Sequence, residues 1–184
     1  MRARVIVVAM MMLFAVGAVQ AGTPTGFYAG AGADIFMFGD ADALDAGGFS
    51  STFIGFTPKV GYQINDMWGV NAGYKYFMTN EGDGGVKWTQ TAISIAANAA
   101  PFKDGCLMPL YFIAGIDMVS WEVEIDLGAF GTVTGDDTET GIAFGAGYGW
   151  WTSDNFSVNP EVTYVTGDAG GINIEVGVRY YFAK

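Results

Sequence analysis

Seven charged side chains interrupt segments that are otherwise apolar or small, and they are the residues best suited to chemistry in this chain. They are Asp34, Lys59, Lys75, Asp117, Glu161, Glu175 and Arg179. Each falls on the alternate positions that also carry glycine and other polar residues, so all seven are expected on one shared face. Charges of both signs in a narrow interior should pair, because unpaired burial is costly. Arg179 should pair with Glu161 or Glu175; the alternative for the set is a proton relay or an ion path.

The sequence lacks residues that the common catalytic mechanisms require. The sequence contains no histidine, which excludes a Ser-His pair and a histidine proton shuttle. Cys106 is the single cysteine, so an intramolecular disulfide is impossible and a redox step would have no resolving thiol. We expect Cys106 to be a partly buried turn residue, and we expect neither an enzyme nor a cofactor.

Acidic residues cluster in the polar segments between the alternating ones. Asp40, Asp42 and Asp45 fall in one such segment, and Asp136 and Asp137 fall in another. They are candidates for a shared Ca²⁺ or Mg²⁺ ion, because hard divalent cations prefer oxygen ligands. The alternative is a solvated, negatively charged rim with no bound ion.

The N-terminus has the features of a cleaved signal peptide over residues 1–21, followed by one domain over 22–184. Arg2 and Arg4 precede an apolar run that is short for a spanning helix, and small residues lead to the cleavage point between Ala21 and Gly22. Without those two arginines the mature chain would carry 6 basic and 19 acidic residues, a net charge of −13. Such a charge argues against nucleic acid and other polyanions as partners.

The elements that must position these residues are strands. From Phe27 to Ile35 the odd positions are apolar, and from Ile172 to Phe182 the even positions are, with small or polar residues between them. A period of two places the two sets on opposite faces of a strand. Segments of about 10 to 13 residues can cross a bilayer as tilted strands. We predict eight strands, over 26–37, 53–64, 67–78, 88–99, 110–122, 139–151, 155–165 and 172–182.

The predicted connections differ between the two ends of the sheet. The loops at one end are rich in Gly, Asp, Thr and Ser and cover 38–52, 79–87, 123–138 and 166–171. The connections at the other end are mostly tight and cover 65–66, 100–109 and 152–154. This asymmetry is typical of outer-membrane barrels, whose longer loops lie outside the cell.

Aromatic residues are assigned to two rings on the apolar face, with smaller aliphatic residues between them. The ring at the short-turn end comprises Phe27, Tyr62, Trp68, Phe112, Trp150, Phe156, Tyr180 and Phe182. The ring at the loop end comprises Phe36, Phe56, Tyr76, Trp88 and Tyr164. Two aromatic girdles flanking an aliphatic band match the two interfaces of a membrane. They favour a membrane barrel over a soluble lipid-carrying barrel, which alternation alone would also fit.

Four short motifs follow one another along the chain: Phe27-Tyr28-Ala29-Gly30-Ala31-Gly32, Lys59-Val60-Gly61-Tyr62, Gly73-Tyr74-Lys75-Tyr76 and Val178-Arg179-Tyr180-Tyr181-Phe182. In order and spacing they resemble the small outer-membrane β-barrel family, which includes OmpA-like, OmpX/Ail-like and opacity-type proteins. The resemblance implies an all-β, eight-stranded, antiparallel transmembrane barrel that contacts outer-membrane lipid and lipopolysaccharide. It also implies that the outer-membrane assembly machinery recognises the C-terminal strand. Members often end on the aromatic residue itself, whereas Ala183 and Lys184 follow Phe182 here.

We therefore expect a non-enzymatic integral outer-membrane protein with a closed polar lumen and acidic extracellular loops. Its role would lie in envelope integrity or surface interaction, because the fold alone does not specify an activity. Divalent cations, if bound by the acidic loops, would bridge them to lipopolysaccharide phosphates. The alternative function is a narrow pore or a conduit for small apolar molecules.

Overall fold

The computed structural model describes residues 24–39, 48–82, 85–102, 109–168 and 170–182, and most of them form strands. The strands are β1 (Gly26–Phe38), β2 (Thr52–Gln63), β3 (Trp68–Glu81), β4 (Val86–Ala99), β5 (Leu110–Asp126), β6 (Thr132–Tyr148), β7 (Trp150–Ser153), β8 (Phe156–Val165) and β9 (Gly171–Tyr181). Within these ranges, no helix combines the length and apolarity needed to cross a membrane. The predicted cleavage point at Ala21 and Gly22, and Cys106, lie outside the described residues.

The strands close into an eight-stranded antiparallel barrel, which confirms the predicted fold class. Neighbouring strands follow the order β6-β5-β4-β3-β2-β1-β9-β8-β7, and an additional ladder between β6 and β8 closes the sheet. β6 and β7 both pair with β8 and together form one wall strand, interrupted at Gly149. That is why the sequence pattern over 139–151 predicts a single strand.

The β5–β6 hairpin is longer than the sequence pattern indicates. Both strands have 17 residues, and their ladder is continuous from the Leu110–Tyr148 pair to the Asp126–Thr132 pair. A short 3₁₀ turn at Gly128–Phe130 joins them. The prediction of 123–138 as a loop was therefore wrong. Strand alternation fades there because a hairpin that extends past the membrane has no lipid-facing side that must be apolar.

The barrel is apolar outside and polar inside. Large apolar side chains of the wall are exposed; Val60 is 61%, Ile95 54% and Val176 39% exposed. Exposed apolar surface on this scale marks an interface, and a band of it around a barrel fits lipid. The interior instead contains most of the buried charged and amide side chains of the described chain.

Candidate functional site

The interior of the barrel contains all seven charged residues singled out from the sequence. None of them is more than 8% exposed: Asp34, Lys59, Lys75, Asp117, Glu161, Glu175 and Arg179. They come from six strands (β1, β2, β3, β5, β8 and β9) and lie on the inward positions set by the period of two. The candidate site is therefore the barrel lumen, assembled from residues up to 145 positions apart in the sequence.

The main cluster contains two carboxylates and two cations, and one of the cations, Lys59, contacts both carboxylates. Glu161 and Glu175 lie directly opposite each other on β8 and β9, where like charges repel. Lys59 Nζ lies 3.1 Å from Glu161 Oε2 and 2.5 Å from Glu175 Oε1, so one ammonium group offsets that repulsion. Arg179 Nη2 contacts the other oxygen of Glu161, Oε1, which also accepts a 2.6 Å hydrogen bond from the Tyr111 hydroxyl. Glu161 is thus the shared acceptor of the cluster.

Aromatic rings surround the guanidinium group of Arg179. Its Cζ atom lies 5.1 Å from the ring centroids of both Tyr28 and Tyr111, a distance at which cation–π attraction operates. Tyr181 packs 5.0 Å from Tyr28 and 5.1 Å from Trp151, centroid to centroid. One arginine and four aromatic side chains therefore occupy much of the lumen at the short-turn end.

Glycines opposite two of these tyrosines make room for the rings. Tyr28 pairs across the strands with Gly61, and Tyr111 pairs with Gly147. A Cβ at Gly61 would lie 2.6 Å from Tyr28 Cε1, and one at Gly147 would lie 2.6 Å from Tyr111 Cε2. The interior glycines are therefore part of the site, because without them neither ring could lie flat against the wall.

The remaining lumen charges make no direct ion pair with the main cluster, although Asp34 lies opposite Glu175 on the neighbouring strand. Lys75 Nζ and Asp117 Oδ2 form a separate pair at 2.5 Å. The carboxylate of Asp34 accepts two neutral hydrogen bonds, 2.7 Å from Thr57 Oγ1 and 2.8 Å from Asn173 Nδ2. The contacts thus form local pairs, which supports the ion-pair interpretation of these residues over a continuous relay.

An aromatic plug fills the lumen at the loop end. Its centre consists of Phe36, Phe53 and Phe77, each at most 3% exposed. Phe36 and Phe77 pack with ring centroids 5.5 Å apart. Phe38, Phe49 and Trp88 pack around this centre. The plug contains no ionisable group, so the interior charges are covered on the loop side by apolar rings.

Two members of the predicted loop-end girdle belong to this plug, and their assignment to the outer face was wrong. Phe36 lies two positions after Asp34 and therefore shares its inward face. Trp88 lies two positions before Gln90, which is 2% exposed in the interior. The assignment sorted these residues by type, whereas the period of two already placed them inside.

The other girdle residues lie on the outer face. At the loop end Phe56 packs against Tyr76 with centroids 5.7 Å apart, and Tyr164 packs against Phe144, which the sequence analysis missed, at 5.3 Å. At the short-turn end the side chains are 40–67% exposed for Phe27, Tyr62, Trp68, Phe112, Tyr180 and Phe182. Trp150 and Phe156 are partly exposed on the same side.

Two small cavities border the main cluster. One, of about 30 Å³, is lined by Lys59, Lys75 and Asp117 among others. The other, of about 40 Å³, lies on the short-turn side and is lined by Asn98 and Arg179 among others. A polar cavity of this size has room for a few water molecules.

The candidate metal ligands do not form a shared site where the structure describes them. Asp136 and Asp137 are consecutive residues of β6, so their side chains point to opposite faces and cannot share an ion. In the described parts of the chain, no group of three or more His, Cys, Asp or Glu residues is placed to hold a metal ion. Asp40, Asp42 and Asp45 lie outside the described residues.

Comparisons with known proteins agree with this architecture. The model of the outer membrane protein beta-barrel domain matches residues 6–182. No curated protein matches the chain.

Solved structures share its fold at low sequence identity. OprG of Pseudomonas aeruginosa has 13% identity and a TM-score of 0.60, covering 89% of this chain and 99% of that one. Neisserial surface protein A has 19% identity and a TM-score of 0.57, covering 86% and 98%. Ail, the attachment invasion locus protein of Yersinia pestis, has 13% identity and a TM-score of 0.57, covering 86% and 97%.

Proposed function

We propose a non-enzymatic, surface-presenting role for this chain, which belongs to the family of outer membrane protein beta-barrel domains. Membership makes it an integral β-barrel of the bacterial outer membrane. Within that setting its lumen is a closed, charged interior, and its protruding β5–β6 hairpin acts in surface interaction or envelope integrity.

The observation that carries the proposal is a lumen occupied by side chains from end to end. Phe36, Phe53 and Phe77 fill the loop end, and Arg179 between its aromatic neighbours fills the short-turn end. A solute crossing the barrel would have to displace both groups and break the buried ion pairs of Glu161, at a cost of about 3–5 kcal/mol for a single broken pair. This supports a structural lumen, with function on the exposed surface.

Among the described residues, the β5–β6 hairpin is a long segment with exposed side chains at the loop end. On one face it presents Glu122, Glu124, Asp126 and Asp136, and on the other Val123, Ile125 and Val133. At its tip Phe130 is 91% exposed and Leu127 is 48% exposed. A hairpin with an acidic face, an apolar face and an apolar tip is suited to contact another macromolecule or the lipopolysaccharide layer.

The acidic face also indicates which partners this hairpin would not bind. Ail of Yersinia pestis has been solved in complex with the heparin analogue sucrose octasulfate. The hairpin described here carries several carboxylates, and Lys87 on the adjoining strand is itself paired with Glu124 at 3.5 Å. We propose that polyanions of that kind are repelled and that basic surfaces are preferred.

Assembly in the membrane would depend on β9 and the residue that follows it. Phe182 is 65% exposed on the lipid side, and its backbone N–H donates to the carbonyl of Phe27 at 2.9 Å. The aromatic residue thus ends the seam between the first and last strands. We propose that the assembly machinery recognises this strand, with outer-membrane lipid as the partner of the finished wall.

Single-channel recording of the purified barrel in a planar bilayer tests the closed lumen. The wild-type protein should give no conductance steps. A variant with Phe36→Ala, Phe53→Ala, Phe77→Ala and Arg179→Ala should conduct, since it removes both obstructions. A matched variant, Phe56→Ala with Tyr164→Ala, truncates outward aromatics and should stay silent.

The second candidate function is a narrow pore or a conduit for small apolar molecules. Steady conductance of the wild-type barrel, or uptake of an apolar dye into vesicles that contain it, would overturn the closed lumen and favour this candidate. The charged middle of the lumen opposes it, because an apolar solute gains nothing by displacing paired ions.

A further inference from the structure

The cavity at the short-turn end differs in charge from the other one. Its volume is about 40 Å³, and Arg179 is the only charged residue among the described residues that line it. The cavity of about 30 Å³ is instead lined by charges of both signs: Lys59, Lys75, Asp117, Glu161 and Glu175. Several neutral residues of the short-turn cavity carry N–H groups: Gln63, Asn98, Trp151 and Asn159. The short-turn cavity is therefore a donor-rich space beside one positive charge, with no carboxylate in its described lining.

Two side chains on the wall of this cavity have buried polar atoms without a partner in the described parts of the chain. Arg179 is 4% exposed; its Nη2 atom contacts Glu161 and the Tyr111 hydroxyl, but its Nε–H has no acceptor. Asn98, on β4, is 5% exposed, and neither atom of its amide has a partner. Such atoms are costly to bury, because they give up their hydrogen bonds to water. Both side chains border the same space, so one bound ligand could satisfy the Arg179 Nε–H and the Asn98 N–H groups together.

Two further N–H donors border the cavity at Gly149. A Cβ added to Gly149 would lie 3.5 Å from Asn159 Nδ2 and 3.7 Å from Trp151 Nε1. The hydroxyl of Ser157 donates to Asn159 Oδ1 at 2.8 Å, which fixes that amide with its nitrogen toward Gly149. Trp151 Nε1 can only donate. N–H groups from four strands, β4, β7, β8 and β9, therefore surround this space.

We propose that this cavity binds a small monovalent anion of about the size of chloride. A buried ion needs a partner of opposite charge and hydrogen bonds, and Arg179 with the amide N–H groups of Asn98 and Asn159 supplies both. Glu161 is shared between Arg179 and Lys59, so it compensates the guanidinium only in part. A cavity holds a water molecule from ~10–15 Å³ upward, and chloride is only slightly larger than water, so the volume suffices.

The position of the cavity gives an anion access from one side of the membrane. Gln63 at the end of β2 and Pro109 just before β5 also line it, which places it at the short-turn mouth of the barrel. An ion can reach this mouth without passing the main cluster or the aromatic plug. The site is therefore compatible with a closed lumen, and it does not depend on the surface role proposed above.

Urea unfolding of the full-length barrel in lipid vesicles tests the site, in sodium chloride or in sodium gluconate of equal ionic strength. Gluconate is too large for a cavity of about 40 Å³ and controls for screening. A ligand that binds only the folded state raises the free energy of unfolding with the logarithm of its concentration once the site is saturated. The urea midpoint should therefore rise with chloride concentration and should not rise with gluconate.

Variants with matched shapes assign the chloride response to this cavity. Asn98→Leu removes the amide at nearly constant shape, and its urea midpoint should no longer respond to chloride. Asn71→Leu is the control, because Asn71 lines the other cavity, and it should respond like the wild type. Arg179→Lys keeps the positive charge but removes the Nε–H, so the half-saturating chloride concentration should rise severalfold.

Crystals grown with bromide in place of chloride locate the ion. An anomalous peak should lie within hydrogen-bond distance of Arg179 Nε and Asn98 Nδ2 in the wild type. A cavity that holds only water would give no such peak and no difference between chloride and gluconate, and either result in the wild type would overturn the proposal even if Asn98→Leu failed to fold. Equal chloride responses of the two leucine variants would also overturn it. A bromide peak without a chloride response in solution would show an adventitious ion only, with the same consequence.

Discussion

Replacing Arg179 by methionine should destabilise the barrel by about 3–5 kcal/mol, the usual cost of breaking a buried ion pair from one side. Arg179 is 4% exposed, contacts the carboxylate of Glu161 and donates to the Tyr111 hydroxyl at 3.2 Å. Methionine has a similar length but no charge. Its introduction would leave Glu161 with Lys59 as its only cation, and Lys59 is already engaged by Glu175.

A double-mutant cycle assigns that loss to particular partners. Arg179→Met combined with Glu161→Gln should recover much of the loss, because the pair is then removed as a unit; coupling energies of close charge pairs are about 1.5–7 kcal/mol. Glu175 contacts Lys59 and not Arg179, so the cycle with Glu175→Gln should give a smaller coupling, about 0.5 kcal/mol, at the low end for members of one network.

Urea titration in lipid vesicles, followed by tryptophan fluorescence, measures the free energy of unfolding for each member of both cycles. Arg179→Lys is the control for charge. This variant should lose less free energy of unfolding than Arg179→Met, because lysine keeps the positive charge and loses only the planar guanidinium geometry. The reasoning fails if the Arg179–Glu161 double variant is as unstable as the sum of its singles. It also fails if Glu161 and Glu175 couple equally to Arg179.

Other parts of the structure are tested by substitutions with matched controls. Gly61→Ala should lower the free energy of unfolding by about 1–3 kcal/mol, because the added Cβ would overlap the Tyr28 ring. The control Gly135→Ala should leave the urea midpoint unchanged, because nothing lies within 4 Å of its added Cβ. Val176→Arg in the lipid-facing wall should cost about 2–4 kcal/mol and reduce folded yield, whereas Val133→Arg on the protruding hairpin should not. Immobilised heparin should not retain the protein at about 0.15 M salt, and tight retention would contradict the charge argument.

Most of what the sequence could predict about which face a residue occupies came from the period of two. It placed Asp34, Glu175 and Arg179 on the inner face and Val176 on the outer one, as the structure has them. The two misplaced girdle aromatics show the limit of sorting by residue type. Phe36 follows the same period, but an aromatic side chain in a membrane strand suggests lipid contact, and only the packed interior shows that the lumen also needs large apolar side chains.

The interaction partners of individual residues could not be predicted from the sequence, for a different reason. Alternation gives the face of a residue but not its height in the barrel, which depends on strand register. The adjoining last strands left Glu161 and Glu175 as alternative partners of Arg179, and the register places both opposite each other with Lys59 between them. That residues 132–141 of β6 have no partner on β8 could not be predicted for the same reason, because it depends on how far β5 and β6 extend past β8.

The proposed closed lumen shares a side chain, Phe38, with the packing at the base of the β5–β6 hairpin. A two-stranded hairpin is marginally stable in water on its own, so this one needs further support. β4 supplies it by pairing with β5 from the Ala99–Phe112 pair to the Val86–Ile125 pair, and Trp121 packs with Phe38 against interior residues below the plug. Phe38 also packs against the plug itself. We propose that a lumen hollowed out for conduction would lose the Phe38 contacts near the hairpin's base, so that a closed interior would add to the order that β4 gives the hairpin.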